Sequence, residues 1–196
     1  ILRSCAEGAD AGDIAEDIEA MVSVAEVVGN DAGGDVEVLV EGDSPHVLAW
    51  REWVAPADVV TEAGSFDTHG ILDALDADRG TRVTLDGGAS FYIEPTRALV
   101  AVDVNTGPDT SLAAGLKANL ACARALPRAL RVRGIGGQIV LDLAPMPKKD
   151  RRSFESALRQ AFKSDDIDTA LVGWTPLGHY ELQRKRARIA LAEVLK

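Results

Sequence analysis

The sequence predicts an α/β fold built on a mixed, largely parallel sheet with crossover helices. Three apolar runs, ALVAVDVN, QIVLDLAPM and TALVGW, carry small and β-branched residues almost without interruption, as strands buried on both faces do. Stretches with helical spacing separate them, giving the strand–helix–strand order of right-handed crossovers. Turn-forming glycines stand at the boundaries, in Asp86-Gly87-Gly88 and Gly136-Gly137.

Taken in order, residues 10–29 place Ile14, Ile18, Met21, Val22 and Ala25 on one helical stripe. NDAGGD breaks that helix, and VEVLV (36–40) alternates as a short strand. HVLAWREWV (46–54) fits either strand or helix, with Trp50 and Trp53 as packing anchors. THGILDALDADRG (68–80) is a capped helix ending at glycine. RVTLDGGASFYIE (82–94) is a hairpin whose Asp-Gly-Gly supplies the positive-φ turn. A strand over 97–105 follows, then a helix over 111–134 with a predicted kink at Pro127. The remaining elements are a strand at 138–146, a helix at 150–163, a strand at 169–174 and a basic helix from about residue 178. No repeat, low-complexity tract or flexible linker interrupts the series.

The chain has 196 residues, 46% of them hydrophobic, enough for one or two cored domains. It begins at Ile1, so it is read as part of a longer polypeptide. It carries no bilayer-length apolar run and no basic-then-apolar leader, and a cytoplasmic location without membrane partners is expected. Cys5 and Cys122 form no CxxC pair, which argues against zinc and against a disulfide framework. The net charge of −10 is unevenly spread. Residues 1–110 hold 23 acidic and 5 basic side chains, and residues 111–196 hold 8 and 16. A polyanion is repelled by the first part and attracted by the second.

Asp103 and Asn105 lie two apart in a strand and so share a face. Asp142 occupies the corresponding late position of IVLDL. If the two strands are parallel neighbours, both aspartates meet at the carboxyl end of the sheet, where open α/β sheets bind ligands. Two carboxylates about 4 Å apart repel by roughly 1–4 kcal/mol. Either one is protonated or a divalent cation neutralises both. An all-oxygen set without His or Cys favours Mg²⁺, with Mn²⁺ as a substitute. Such an ion commonly takes phosphate oxygens, and MPKKDRR, with Lys148 and Lys149, follows Asp142 closely. Arg131, Arg133 and QRKRAR, with Arg184 and Arg186, add further cations. This fits phosphodiester hydrolysis. On spacing alone, two loop-capping aspartates and solvated basic helix faces fit equally well. His46, His69 and His179 share no ligand spacing and read as ordinary helix or loop residues.

IEPTRALVAVDVNTG, ANLACARALPRALRVRGIGGQIVLDLAPM, SFESALRQAF and PLGHYELQRKR together resemble the catalytic domain of the bacterial ribonuclease E/G family. The resemblance is dense over residues 82–196. It matches Asp103, Asn105 and Thr106 to the family's Asp-x-Asn-hydroxyl strand, and Asn119, Arg131 and Arg133 to an asparagine and its Leu/Arg-rich helix. Asp142 matches the aspartate of the second strand. The resemblance implies that Asp103 and Asp142 hold the catalytic magnesium and that Asn105 orients the attacking water or the scissile phosphate. The expected RNA contacts are Thr106, Asn119, Arg131 and Arg133 by this resemblance, and Lys148, Lys149, Arg184 and Arg186 from the basic runs. ILRSCAEGAD is similar to the segment whose Arg-Thr pair binds a 5′-monophosphate, matching Arg3 and Ser4.

The chain departs from the family pattern in lacking the inserted RNA-binding β-barrel, the zinc-linking cysteine pair and the small domain after it. No zinc and no zinc-linked tetramer are therefore expected, which leaves room for a dimer. Asp168 stands near the place of an arginine of the 5′-phosphate pocket, and Leu177 where the family has an aromatic, while Gly178 and Glu181 remain. The implied organisation is a 5′-end-sensing remnant (1–45), a ribonuclease-H-like piece (46–80) and a deoxyribonuclease-I-like catalytic part (81–196). The implied function is Mg²⁺-dependent endonucleolytic hydrolysis of single-stranded RNA, leaving 5′-phosphate ends, and the match at Arg3 and Ser4 leaves room for a 5′-monophosphorylated partner. The competing class is an RNA-binding relative, or a piece inactive without its barrel.

Overall fold

The computed structural model describes residues 2, 6–31, 33–52 and 56–195, which fall into two units, Ile1–Val60 and Thr61–Lys196. The first unit contains α1 (Ala11–Asn30) and α2 (Pro45–Glu52). Asp10 caps α1, its carboxylate accepting from the Gly12 N–H at 2.7 Å. No residue of α1 is buried, and the stripe of Ile18, Met21 and Val22 is about half exposed. The strand expected at 36–40 does not form: that segment has no sheet partner among the described residues. Alternation alone leaves a strand's N–H and C=O groups to water, and pairing is what stabilises it. HVLAWREWV is helical over its described part. Trp50 is exposed rather than a packing anchor, and its indole N–H donates to His46 Nε2, one turn back, at 2.9 Å. Trp53 lies outside the described residues.

The second unit runs α3 (Ser65–Thr68), α4 (Ile71–Arg79), β1 (Arg82–Thr84), β2 (Ser90–Pro95), β3 (Val100–Asn105), α5 (Leu112–Val132), β4 (Gly137–Asp142), α6 (Arg151–Phe162), β5 (Thr169–Trp174), β6 (Tyr180–Arg184) and α7 (Leu191–Val194). Its six strands form one sheet in the order β1-β2-β3-β4-β6-β5. The fold is α/β with a mixed sheet. Only β3 and β4 are parallel, joined by the α5 crossover; the other neighbours are antiparallel. The sheet is thus less parallel than expected, and the cause is local. Thr175–Gly178 closes a tight turn, with Gly178 N–H donating to Thr175 O and Thr175 N–H to His179 O. So short a loop can join only antiparallel strands. The predicted basic helix from 178 is instead β6, whose Tyr180, Leu182 and Arg184 alternate inward. The other elements match within a few residues, and α5 runs through Pro127 as one helix.

The core lies between one face of the sheet and helices α5 and α6. Val100, Val102, Val104, Ile139, Leu141 and Leu182 meet Leu126, Leu130, Phe154 and Leu158, all buried. Alternation then sends Asp103, Asn105 and Asp142 to the other face, where all three are exposed. Helix α5 also fixes the chain just beyond β4. At Gly115 a Cβ would stand 1.9 Å from Pro145 O, so only glycine admits this approach. No helix among the described residues is long and apolar enough to cross a membrane.

Candidate active site

The site begins with a register. Parallel pairing of β3 with β4 sets Asp103 directly opposite Asp142. Adjacent strands lie about 4.8 Å apart, so the two carboxylates leave neighbouring backbone positions on the same face. Two residues on, Asn105 completes the group, its Nδ2 donating to Asp103 Oδ2 at 2.8 Å. That bond occupies one donor of Asn105, and no partner holds its side-chain oxygen among the described residues. On the far side of Asp103, antiparallel pairing sets Tyr92 opposite it and Ser90 opposite Asn105. Tyr92 is half-buried on the face that carries the carboxylates.

Asp142 has its own neighbour. His179, just before β6, brings Nδ1 to 3.3 Å from Asp142 Oδ1, with side chains 37% and 68% exposed respectively. Solvent therefore reaches both groups. No three His, Cys, Asp or Glu side chains among the described residues form a ready-made cage. A cation here would take few protein ligands and keep open positions for water or phosphate, the habit of Mg²⁺. The donor chemistry, two exposed carboxylate groups and an amide oxygen, fits such an ion.

The remaining candidates divide. Thr106 continues directly from Asn105, and Lys148 and Lys149 are exposed on the loop after Asp142, so these stand at the same end of the sheet. Arg186 is exposed at the other end, its guanidinium against Gly137 at the start of β4. Three candidates serve the core instead of an RNA surface. Asn119 is fully buried and holds Ala144 through both amide atoms, at 2.8 and 3.0 Å. Arg133 is buried against α4, pairing with Asp78 at 3.1 Å and donating to Gly80 O and Ala129 O. Arg184, the largest fully buried side chain, pairs with Asp165 at 2.5 Å and donates to Thr169 Oγ1 at 2.8 Å. Alternation along β6 turned it inward, which a helical reading of QRKRAR hides. Arg131 is exposed but leans 3.7 Å from Asp165. Arg3 and Ser4 lie outside the described residues.

Sequence reasoning missed His179 and Tyr92. Each flanks an aspartate only through strand register: Leu141 pairs with Tyr180, which puts His179 beside Asp142. The usable signal was the Thr-Pro-Leu-Gly turn that reverses the chain before β6.

The sequence profile of the Ribonuclease E/G family matches residues 56–187, which contain the whole sheet and all three polar site residues. The chain belongs to the ribonuclease E/G family. It is 32% identical over 138 residues to Ribonuclease G of Salmonella typhimurium (strain SL1344), covering 66% of this chain and 28% of that protein. It is 34% identical over 132 residues to the chloroplastic Ribonuclease E/G-like protein of Arabidopsis thaliana, covering 63% and 13%. It is 36% identical over 110 residues to Ribonuclease E of Nostoc sp. (strain PCC 7120), covering 54% and 16%. The chain thus spans under a third of the length of these ribonuclease E/G relatives.

Proposed function

We propose that this chain carries a metal-dependent endoribonuclease centre that hydrolyses phosphodiester bonds in single-stranded RNA, with Asp103 and Asp142 as ligands of Mg²⁺. The observation that carries the reading is the register that sets the two aspartates opposite each other at the exposed carboxyl end of the one parallel strand pair. Family membership and the names of the relatives support ribonuclease chemistry at that place. When bound, the ion would polarise the phosphoryl oxygen and make water nucleophilic at neutral pH.

The chain's own residues supply the rest. Asn105 keeps Asp103 Oδ2 in place with one N–H and turns its free oxygen to orient water or the scissile phosphate. His179 steadies Asp142 from the outside. Lys148 and Lys149 bind flanking phosphates. In-line attack by water would leave a 5′-phosphate and a 3′-hydroxyl. Recognition of a 5′-monophosphate rests on the resemblance at Arg3 and Ser4 alone.

The test is cleavage of a fluorescent 5′-monophosphorylated single-stranded RNA with Mg²⁺ or with EDTA. Products bearing 5′-phosphate should appear only with metal and should vanish in Asp103→Asn and Asp142→Asn, while circular dichroism stays native. Asn105→Ala should lower kcat more than RNA affinity, because orientation of the nucleophile acts mainly in the transition state. Salt-sensitive binding without metal-dependent products would instead support a binding module.

A further inference from the structure

The outer face of α5 carries a charge pattern that the site does not use. Lys117, Arg124 and Arg128 are exposed at spacings of 7 and 4, which at 3.6 residues per turn form one straight ridge. The ridge is about 17 Å long at 1.5 Å per residue. A groove lies on one side and a shallow open face on the other. The first runs between α5 and the β1–β2 turn and is lined by Asp86, Thr106, Asp109, Lys117 and Arg124. The second runs between α5 and α6 and is lined by Arg124, Arg152, Ser153, Ser156 and Gln160. Arg124 belongs to both. None of Lys117, Arg124, Arg128 or Arg152 has a carboxylate partner among the described residues, in a chain whose net charge is −10.

We propose that this ridge is a second RNA-backbone track, which takes the strand from the aspartate end of the sheet over Thr106 and along the outside of the helical layer. Thr106 directly follows Asn105 and also lines the first groove, so the track starts where the site ends. Unpaired Arg and Lys flanked by Ser and Gln donors is the composition of phosphate contacts. Among the described residues, neither lining holds an exposed aromatic anchor of the kind protein partners use. Asp86 and Asp109 also line the first groove, Asp109 accepting from Ser111 N–H at 2.9 Å, and the cations continue from Lys117 toward Arg128. The inference takes the identity of the polyanion from the ribonuclease reading, but its test does not depend on catalysis.

Binding of a labelled 25-nucleotide single-stranded RNA is followed by anisotropy across a salt series, in an Asp142→Asn background. Arg124→Gln/Arg128→Gln should raise Kd at least tenfold at low salt and flatten the log–log salt slope by about 1.4, the value for two lost phosphate contacts on a single strand. Arg124→Lys/Arg128→Lys should restore most of the slope, and a native circular dichroism spectrum shows that the chain is folded. Unchanged Kd and slope in the folded Gln variant would overturn the proposal. So would tighter binding of a poly-glutamate peptide than of RNA through the same two arginines, which would assign the ridge to an acidic protein. Absence of Mg²⁺-dependent cleavage by the chain that retains Asp142, with the arginine-dependent slope intact, would remove the hydrolase reading and leave the track.

Discussion

Asn119 grips Ala144 at both polar atoms of its backbone, donating from Nδ2 to the carbonyl at 2.8 Å and accepting from the N–H at 3.0 Å. Ala144 lies two residues past Asp142, the last residue of β4, so this clamp from α5 fixes the loop that follows the second carboxylate. Gly115, one turn earlier, admits the same loop against the helix. Asn119→Ala leaves two buried backbone groups without partners, at about 1–3 kcal/mol each. The expected loss is about 2–5 kcal/mol of unfolding free energy in urea denaturation. RNA affinity of the folded fraction should not change, because Asn119 has no exposed atom with which to touch RNA.

The Arg184–Asp165 pair should behave as a buried ion pair. Both side chains are almost wholly buried, and Asp165 Oδ1 and two Arg184 nitrogens lack hydrogen-bond partners. Removing one partner strands the other charge in the core, at about 3–5 kcal/mol. Asp165→Leu alone should therefore destabilise more than the double variant Asp165→Leu/Arg184→Met. A double-mutant cycle by thermal denaturation checks this, and independent additivity would contradict it.

His179 faces Asp142 at 3.3 Å, and under the proposed function it would steady a carboxylate that holds the ion. His179→Ala should weaken Mn²⁺ binding by roughly 10-fold or more in calorimetric titration, as losses of such outer supports do. The thermal midpoint should hardly move, since the side chain is partly exposed.

Cys122 is fully buried on the inner face of α5, and burial pushes its thiol far above the usual range. Only thiolate reacts with alkylating agents. Iodoacetamide at pH 8 should leave Cys122 unmodified in the native chain and label it fully in denaturant, as read by peptide mass spectrometry.

The parts of this molecule that sequence made legible are those governed by local pattern. Asp103 and Asn105 fell on one face because strands repeat every two residues, and TALVGW was bounded correctly because its apolar run is continuous. What escaped was set by pairing between distant segments. VEVLV alternates but found no partner, and QRKRAR looked like a charged helix because its inward alternation at Arg184 is masked by flanking cations. Arg133 read as an RNA contact because nothing in its neighbourhood announces Asp78, 55 positions earlier. The Asp103–Asp142 pair was the exception, foreseeable because β3 and β4 flank one crossover helix and so must run parallel.

On the proposed function, Asp103 and Asp142 jointly hold one divalent cation. Anomalous scattering from crystals soaked in Mn²⁺ tests it most directly. A single manganese peak is expected within coordinating distance of both carboxylates, lost in Asp142→Asn crystals. Manganese bound elsewhere, or a peak that persists without the Asp142 carboxylate, would contradict it.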